Sequence, residues 1–317
     1  MNNGRFFIAL YGPTGVGKTA LSELLTCSLP IEIINMDIGQ LYLPFTIGTA
    51  KPTWKTQKVP HHMFDIIDEP VDCSVDKYRS LVIPLLKKVW KRGNIPVFVG
   101  GSGFYLKSLL FPPNNTIKNT VIAPSKGLDS ETWDQLNTVD PKRAAAINKN
   151  DIYRIKRALT IWHTTGKKPS DYAPVFKPIA NGIIVQVVRA QKELYNRIDK
   201  RTLVMMESGW PEEVRAIENT PWEGFVRRKK FIGYNDILDY LSSKQPDKIR
   251  DDVVECIQRK TRNYAKRQMT FLRMLERELS STNQLKKKIF TLQADLTLSG
   301  PDLYINQLVN LVTRWVL

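Results

Sequence analysis

Eight residues, Gly12-Pro13-Thr14-Gly15-Val16-Gly17-Lys18-Thr19, fit the pattern G-x-x-x-x-G-K-[ST]. Ahead of them, Phe6 to Tyr11 is a short apolar run that reads as a buried strand. After them, Thr19 to Leu25 reads as a helix. Strand, glycine loop and helix in that order is the setting in which such a loop cradles phosphate. Glycines let the backbone curl until successive N–H groups point into one anion-sized hollow. The new helix adds the partial positive charge of its first turn, and Lys18 adds a mobile full charge. Thr19 is placed to hold a magnesium ion (Mg2+) shared with the phosphates. A chain built on this loop is expected to bind a polyphosphate or a pyrophosphate through Gly12 to Thr19. The expected fold is α/β, a P-loop NTPase-like core with a parallel sheet flanked by helices, plus a mostly helical insertion domain.

The rest of the chain is read against that core. Ile31 to Asp37 is a second β-rich run ending on a carboxylate. Ligands in open parallel sheets sit at the carboxyl ends of strands, so Asp37 is expected beside the phosphate loop. His61 and His62 are adjacent on an extended segment and point to opposite sides, which favours structural roles over a metal site. Ser74 to Arg92 reads as a helix with Tyr78, Leu81, Leu85, Leu86 and Val89 on its apolar side and a possible kink at Pro84. Ile95 to Val99 forms a third strand, and Gly100-Gly101-Ser102-Gly103 opens the next helix, so Ser102 can offer a hydroxyl to the same pocket. Phe111-Pro112-Pro113 marks the exit from the core and Gly182 to Val188 the return. This places a core over 1–111 and 181–317 and an insertion over 112–180.

In Glu193 to Trp210, another expected helix, Leu194, Ile198, Val204 and Met205 form the apolar side, and Arg197 and Arg201 share one face. Those two arginines suit surface ion pairs as well as a ligand. Residues 255–277 are amphipathic: Tyr264, Phe271 and Leu275 lie within about 40° of Ile257, while Arg259, Arg262, Lys266 and Arg273 lie opposite. Four cations, Arg227 to Lys230, are expected on a loop. Ile289 to Leu292 reads as a strand and Tyr304 to Leu317 as an amphipathic helix.

The chain carries 47 basic and 31 acidic residues, a net charge of +16. Residues 1–110 hold 12 against 8, so most of the excess lies beyond the phosphate loop. Such a balance fits a polyanionic partner, most simply nucleic acid. Cys27, Cys73 and Cys256 are isolated, which argues against a disulfide framework or a zinc site. With no signal-peptide pattern and no apolar run long enough to span a bilayer, a soluble, cytoplasmic protein without membrane association is expected, and a monomer.

The ordered segments resemble the bacterial tRNA dimethylallyltransferases, also called tRNA isopentenyltransferases. They are GPTGVGKT at 12–19, INMDIGQLY at 34–42, IGTAKP at 47–52, PHHMFDI at 60–66, IPVFVGGSGFYLKSLL at 95–110 and DPKRAAAI with NDIYRIKRAL at 140–159. LYNRIDKRTLVMMESGWPEEVRAI at 194–217, FIGY at 231–234 and TRNYAKRQMTFLR at 261–273 complete the set. The resemblance implies transfer of a dimethylallyl group from dimethylallyl diphosphate to the exocyclic amine of the adenosine 3′ to the anticodon in tRNA, with release of diphosphate. It implies Asp37 as the general base, Thr14 and Ser102 as hydroxyls near the bridging diphosphate oxygen, and Arg201 as an arginine on the diphosphate. Contacts to the tRNA are implied for Asp37, Ile38, Gly39 and Gln40, for Tyr153, Arg154, Ile155, Lys156 and Arg157, and for Lys230, Phe231, Ile232, Gly233, Tyr234 and Asn235. The insertion is implied as the arm on the anticodon stem-loop, and the basic row Arg259, Arg262 and Lys266 suits a phosphate backbone.

The pattern also departs from the family. Ile38 stands where a serine is usual, Ser102 where a threonine is usual, and Tyr153 where a polar residue is usual. The stretch 112–139 is shortened and lacks the family's substrate-directed arginine, with Lys118 or Lys126 as substitutes. A small P-loop kinase, a prenyltransferase acting on free adenine nucleotides and a non-enzymatic RNA-binding NTPase remain the alternatives.

Overall fold

The computed structural model describes residues 5–112, 132–172, 174–243, 246–281 and 289–316. The chain runs through β1 (Phe6–Tyr11), α1 (Lys18–Leu25), β2 (Ile31–Asn35), β3 (His61–His62), α2 (Val75–Lys91), β4 (Ile95–Gly100) and α3 (Gly103–Leu110). Next come α4 (Trp133–Val139), α5 (Pro141–Ala145), α6 (Ile152–Thr165), β5 (Asn181–Val188), α7 (Gln191–Glu207), α8 (Trp210–Arg215) and α9 (Pro221–Lys229). The last elements are α10 (Tyr234–Leu241), α11 (Pro246–Ser280), β6 (Ile289–Asp295) and α12 (Pro301–Val316). Lys118, Lys126 and most of 112–139 lie outside the described residues.

Among the described residues the strands form one six-stranded parallel sheet in the order β3-β2-β4-β1-β5-β6. Every residue of β1 is buried, as a strand hydrogen-bonded on both sides and covered on both faces requires. Register then decides where chemistry is possible. Tyr11 pairs with both Gly100 and Gln186, and Asn35 pairs with Val99. The carboxyl ends of β1, β2, β4 and β5 therefore finish along one edge, from which the phosphate loop, Asp37 and the Gly100–Ser102 turn all emerge. β3 is the strand that sequence pattern misses: two residues are too few to show alternation.

Apolar faces of two helices differ from expectation. In α2 the buried line is Tyr78, Val82, Leu86 and Val89, whereas Leu81 faces outward and Pro84 sits within an unbroken helix. In α7 the buried line is Leu194, Ile198, Thr202 and Met206, four residues apart, and Val204 is exposed. Six residues from Ile198, Val204 falls about 240° round the helix and faces away. The expected helix to Trp210 ends at Glu207, because Gly209 takes a φ of 98° and Trp210 opens α8. The cations expected on a loop close α9 instead: Arg227, Arg228 and Lys229 fill its last turn, where the helix dipole favours them. The C-terminal α12 packs on α1 and adds Ile305, Leu308 and Val312 to the main core.

The chain divides into two compact units, Met1–Lys107 with Ile179–Leu317, and Ser108–Pro178. The second has its own small core of Leu136, Ala144, Ile147, Ile155, Ala158 and Leu159. Buried Asp140 ties it together, accepting the N–H of Arg143 (3.0 Å) and of Ser170 (2.7 Å).

The sheet also buries an acid, Glu32 on β2. Arg92 donates to its two oxygens at 2.7 and 2.6 Å, Asn94 donates at 2.8 Å, and His62 Nε2 lies 2.6 Å away. His61 Nδ1 lies 2.8 Å from Val59 O, so both histidines have structural partners. Burial alone would push the Glu32 carboxyl up, but the bonds from Arg92, Asn94 and His62 overrule it and bring it down to about 2. A depressed carboxyl contributes stability that is complete above its ordinary value, about pH 4.3, and is lost as pH falls toward the folded value. Arg92→Met is expected to cost about 2 kcal/mol in denaturant unfolding at neutral pH, and its acid unfolding should begin at a higher pH than that of the unsubstituted protein.

Candidate active site

The phosphate loop keeps its shape because Gly15 and Gly17 take φ values of 80° and 114°, which side-chain-bearing residues resist. Buried Val16 anchors the loop in the core. Two arginines brace its carbonyls from outside: Arg189 Nε donates to Val16 O (3.3 Å) and Arg197 Nε to Gly15 O (2.9 Å). One turn beyond Arg197, Arg201 donates from Nη2 to Thr14 Oγ1 (2.6 Å). Both arginines of the i, i+4 pair thus turn to the loop, and among the described residues neither has an acidic partner within ion-pair distance. Lys18 Nζ donates to the carbonyls of Gly12 (2.9 Å) and Pro13 (2.7 Å). Thr19 is exposed in the first turn of α1.

Asp37 lies two residues beyond β2. The side chain of Asn35 brackets its backbone: Oδ1 accepts the Asp37 N–H (2.8 Å) and Nδ2 donates to Asp37 O (3.0 Å). The Gly39 N–H donates to Asp37 Oδ1 (3.1 Å). Lys18 and Arg201 both act electrostatically on this carboxylate. Burial pushes its acid up, while the Gly39 N–H, Lys18 and Arg201 pull the other way. Lys18 answers in kind: burial lowers it to about 8, with Asp37 opposing the shift and Arg201 adding to it. The three groups therefore form one electrostatic unit. Ser102 Oγ accepts the Ile38 N–H (3.3 Å), which sets that hydroxyl against the backbone just after Asp37.

Gln268 on α11 is a site residue that sequence reading passed over. It is buried, its Oε1 accepts the Thr14 N–H (2.9 Å), and its Nε2 donates to Gly101 O (3.0 Å). One amide thus clamps the phosphate loop to the turn after β4. Gly101 leaves the room for it, since a Cβ there would lie 2.0 Å from Nε2. The available signal was a polar residue about 20° from Ile257, on the apolar face of a basic helix. Tyr264, a turn earlier, has its phenol pushed up by burial and then by the Asp37 charge, so it stands beside the acid as a neutral hydroxyl.

With this geometry in hand, the comparisons are specific. The IPP transferase family model matches residues 40–275. The chain belongs to the IPP transferase family. It is 34% identical over 273 residues to the tRNA dimethylallyltransferase of Pseudothermotoga lettingae, covering 84% of this chain and 86% of that one. It is 34% identical over 281 residues to the enzyme of that name from Bacillus velezensis, covering 84% and 87%. Among solved structures, the tRNA isopentenylpyrophosphate transferase of Bacillus halodurans superposes with a TM-score of 0.65 at 28% identity, covering 98% of this chain and 97% of that one. A eukaryotic dimethylallyltransferase acting on tRNA gives 0.76 at 26% identity, covering 98% and 78%.

Several residues expected at the RNA have partners within the protein. Ile155 is fully buried in the core of the second unit. Tyr234 is buried, donates to Glu213 Oε1 (2.7 Å) and stands 4.9 Å from Phe45, centroid to centroid. Phe231 touches the same aromatic cluster but is half-buried and also lines the cleft between α9, α10 and α11, and a Cβ on Gly233 would lie 2.1 Å from the Trp210 ring. Gly39 is buried and spends its N–H on Asp37. Arg262, a quarter exposed, donates from Nη1 to Asp199 Oδ1 at 2.6 Å. Their type and position made these residues look available, and only packing shows the alternative partners. In contrast, Ile152 and Tyr153 are 52% and 73% exposed at the start of α6, and Arg154 and Arg157 are exposed beside them. Arg259 and Lys266 also face outward. A cleft of about 370 Å³ opens between α9, α10 and α11, with Lys230, Ile232, Asn235, Lys260, Asn263 and Arg267 in its wall. Among the described residues no three His, Cys, Asp or Glu side chains form a metal-holding group, and no helix is long and apolar enough to cross a membrane.

Gln268→Leu removes both ends of the clamp and leaves the Thr14 N–H and the Gly101 carbonyl without it. A loss of about 2 kcal/mol in thermal or denaturant unfolding is expected, with far-UV circular dichroism unchanged and weaker binding of inorganic diphosphate by calorimetry.

Proposed function

We propose that this chain transfers a dimethylallyl group from dimethylallyl diphosphate to the exocyclic amine of the adenosine 3′ to the anticodon in tRNA, releasing diphosphate. The observation that carries the reading is the meeting of Asp37 with Lys18 and Arg201 beside the phosphate loop. A diphosphate seated on Gly12 to Thr19 turns its bridging oxygen toward Thr14, Arg201 and Ser102. As the carbon–oxygen bond breaks, negative charge grows on the leaving diphosphate, and Lys18, Arg201 and the loop N–H groups stabilise it. The amine nitrogen bonds to the allylic carbon, and its proton passes to Asp37. Burial makes that carboxylate a stronger base than an ordinary one, and the two cations keep it ionised.

Thr19 supplies one hydroxyl, and among the described residues there is no carboxylate cage. That donor set suits magnesium, which keeps waters and takes phosphate oxygens. Thr19 would hold it together with the diphosphate, and the ion would neutralise charge on the leaving group.

A stacked base cannot present its amine to this site, so the target nucleotide is flipped out. Ile38 and Gln40 meet it near Asp37, and Ile38 offers it no hydroxyl. Tyr153, Arg154, Lys156 and Arg157 in the insertion contact the anticodon stem-loop, where exposed Tyr153 has an aromatic face for stacking. Lys230, Ile232 and Asn235 at the cleft, with Arg259 and Lys266 on α11, contact it from the core unit.

Incubation with dimethylallyl diphosphate, magnesium and an anticodon stem-loop is expected to add one dimethylallyl mass to the RNA. Unchanged RNA overturns the reading. Asp37→Ala is expected to lower turnover at least ~100-fold while tRNA still binds in a filter assay. The pH dependence of kcat/KM should be bell-shaped. Turnover needs Asp37 ionised, so the acid limb lies above the usual carboxylate range. Binding needs Lys18 protonated, so the alkaline limb falls near about 8. In kcat the alkaline limb should move higher, because bound diphosphate holds the proton on Lys18.

A further inference from the structure

The segment after Asp37 has little regular structure of its own, yet one side chain from 165 to 167 residues away holds it. Glu213, in the first turn of α8, accepts three successive backbone N–H groups. Oε2 takes those of Thr46 (2.8 Å) and Ile47 (2.6 Å), and Oε1 takes that of Gly48 (3.1 Å) together with the Tyr234 hydroxyl (2.7 Å). Three consecutive N–H groups converging on one point form an anion-binding nest, and here the protein supplies the anion. The fit is tight. A Cβ on Gly48 would lie 2.2 Å from Trp210 Nε1 and 2.6 Å from the Tyr234 oxygen.

What this segment holds in turn leads back to the reacting acid. Carbonyls of Thr49 and Ala50 accept Gln40 Nε2 at 3.0 and 3.2 Å. The Thr49 methyl presses on Gly39 so closely that a Cβ there would lie 2.7 Å from it. Gly39 gives its N–H to Asp37 Oδ1. Each contact is short, and together they run without a gap from α8 to the carboxylate.

We infer that Glu213 is a positioning residue for Asp37: its carboxylate sets the 46–50 segment, which sets the Gly39–Gln40 turn, which aims the Asp37 oxygen. The inference rests on the reading of Asp37 as the base. Glu213 touches neither the phosphate loop nor any group assigned to the diphosphate, so its effect falls on proton removal and spares binding of the prenyl donor.

The test is Glu213→Gln, which keeps size and shape but turns an NH2 group toward donors that need an acceptor. In a protein whose thermal unfolding shows it folded, kcat is expected to fall about tenfold, as for a slightly misplaced reacting group. KM for dimethylallyl diphosphate should stay within about twofold. The acid limb of kcat/KM should also move to higher pH, because the Gly39 N–H no longer steadies the ionised form. The other groups facing Asp37, which are Lys18 from α1, Arg201 from α7 and Tyr264 from α11, are untouched by the substitution. A folded E213Q with unaltered kcat overturns the inference, and so does a loss of kcat with an unmoved acid limb. If E213Q does not fold, Tyr234→Phe removes one of the four donors. It should then show about a threefold loss of kcat with the same shift of the limb, and the absence of either counts against the inference. Asp37→Asn run alongside separates the two readings. Turnover by D37N overturns the base assignment and this inference with it, whereas an inert D37N beside an unaffected E213Q overturns this inference alone.

Discussion

Lys18, Arg201 and Asp37 are charged groups sharing one poorly solvated corner, where Asp37 favours the charged form of both cations and they favour its own. Burial alone would discharge Asp37 and Lys18, and their mutual attraction limits both shifts. Two positive charges facing one negative leave the corner cationic, which suits a polyanionic leaving group better than a neutral one. The corner exists because β1, β2 and α7 end or pass at the same edge of the sheet. An alteration in strand order or register would scatter the three groups and leave each to titrate as an isolated buried charge.

The same edge shows how a rigid sheet lends precision to loops. Asn35 brackets the backbone of Asp37, Gln268 clamps Thr14 to Gly101, Arg197 and Arg189 hold the outer carbonyls of the phosphate loop, and Glu213 gathers 46–48. In every case a side chain satisfies backbone groups that no strand or helix satisfies. Irregular backbone can then approach a ligand closely without being loose. Ile38 shows the consequence for substrate. Its backbone is held by Ser102, so the segment keeps its place although its side chain has no hydroxyl to offer a base.

Elements with strong local signals were readable in the chain itself. FFIALY and the glycines after it announce a buried strand and an anion loop, and Asp37 follows a β-rich run at the end where ligands sit. Helical faces were less secure. Val204 and Leu81 are as apolar as their neighbours, and which line of α7 or α2 turns inward depends on the element packed against it. Tyr234 and Ile155 lay within segments matched to RNA contact, yet an aromatic cluster and a small helical core had already taken them. A side chain's type says what it can bind, whereas its neighbours decide whether it is free to do so.

By itself the sequence determined the class of this protein: a phosphate loop between strand and helix, a basic surplus beyond it, and an ordered series of family segments. Those features are local, carried by residues near one another in the chain and by the sum of their charges. Tertiary structure decided the rest. It brought Asp37 to Lys18 and Arg201, sent Gln268 across 254 residues to Thr14 and Glu213 across 166 to Ile47, and withdrew Tyr234 and Ile155 from the surface. Contacts over such distances depend on strand register and helix packing, which no window of sequence contains.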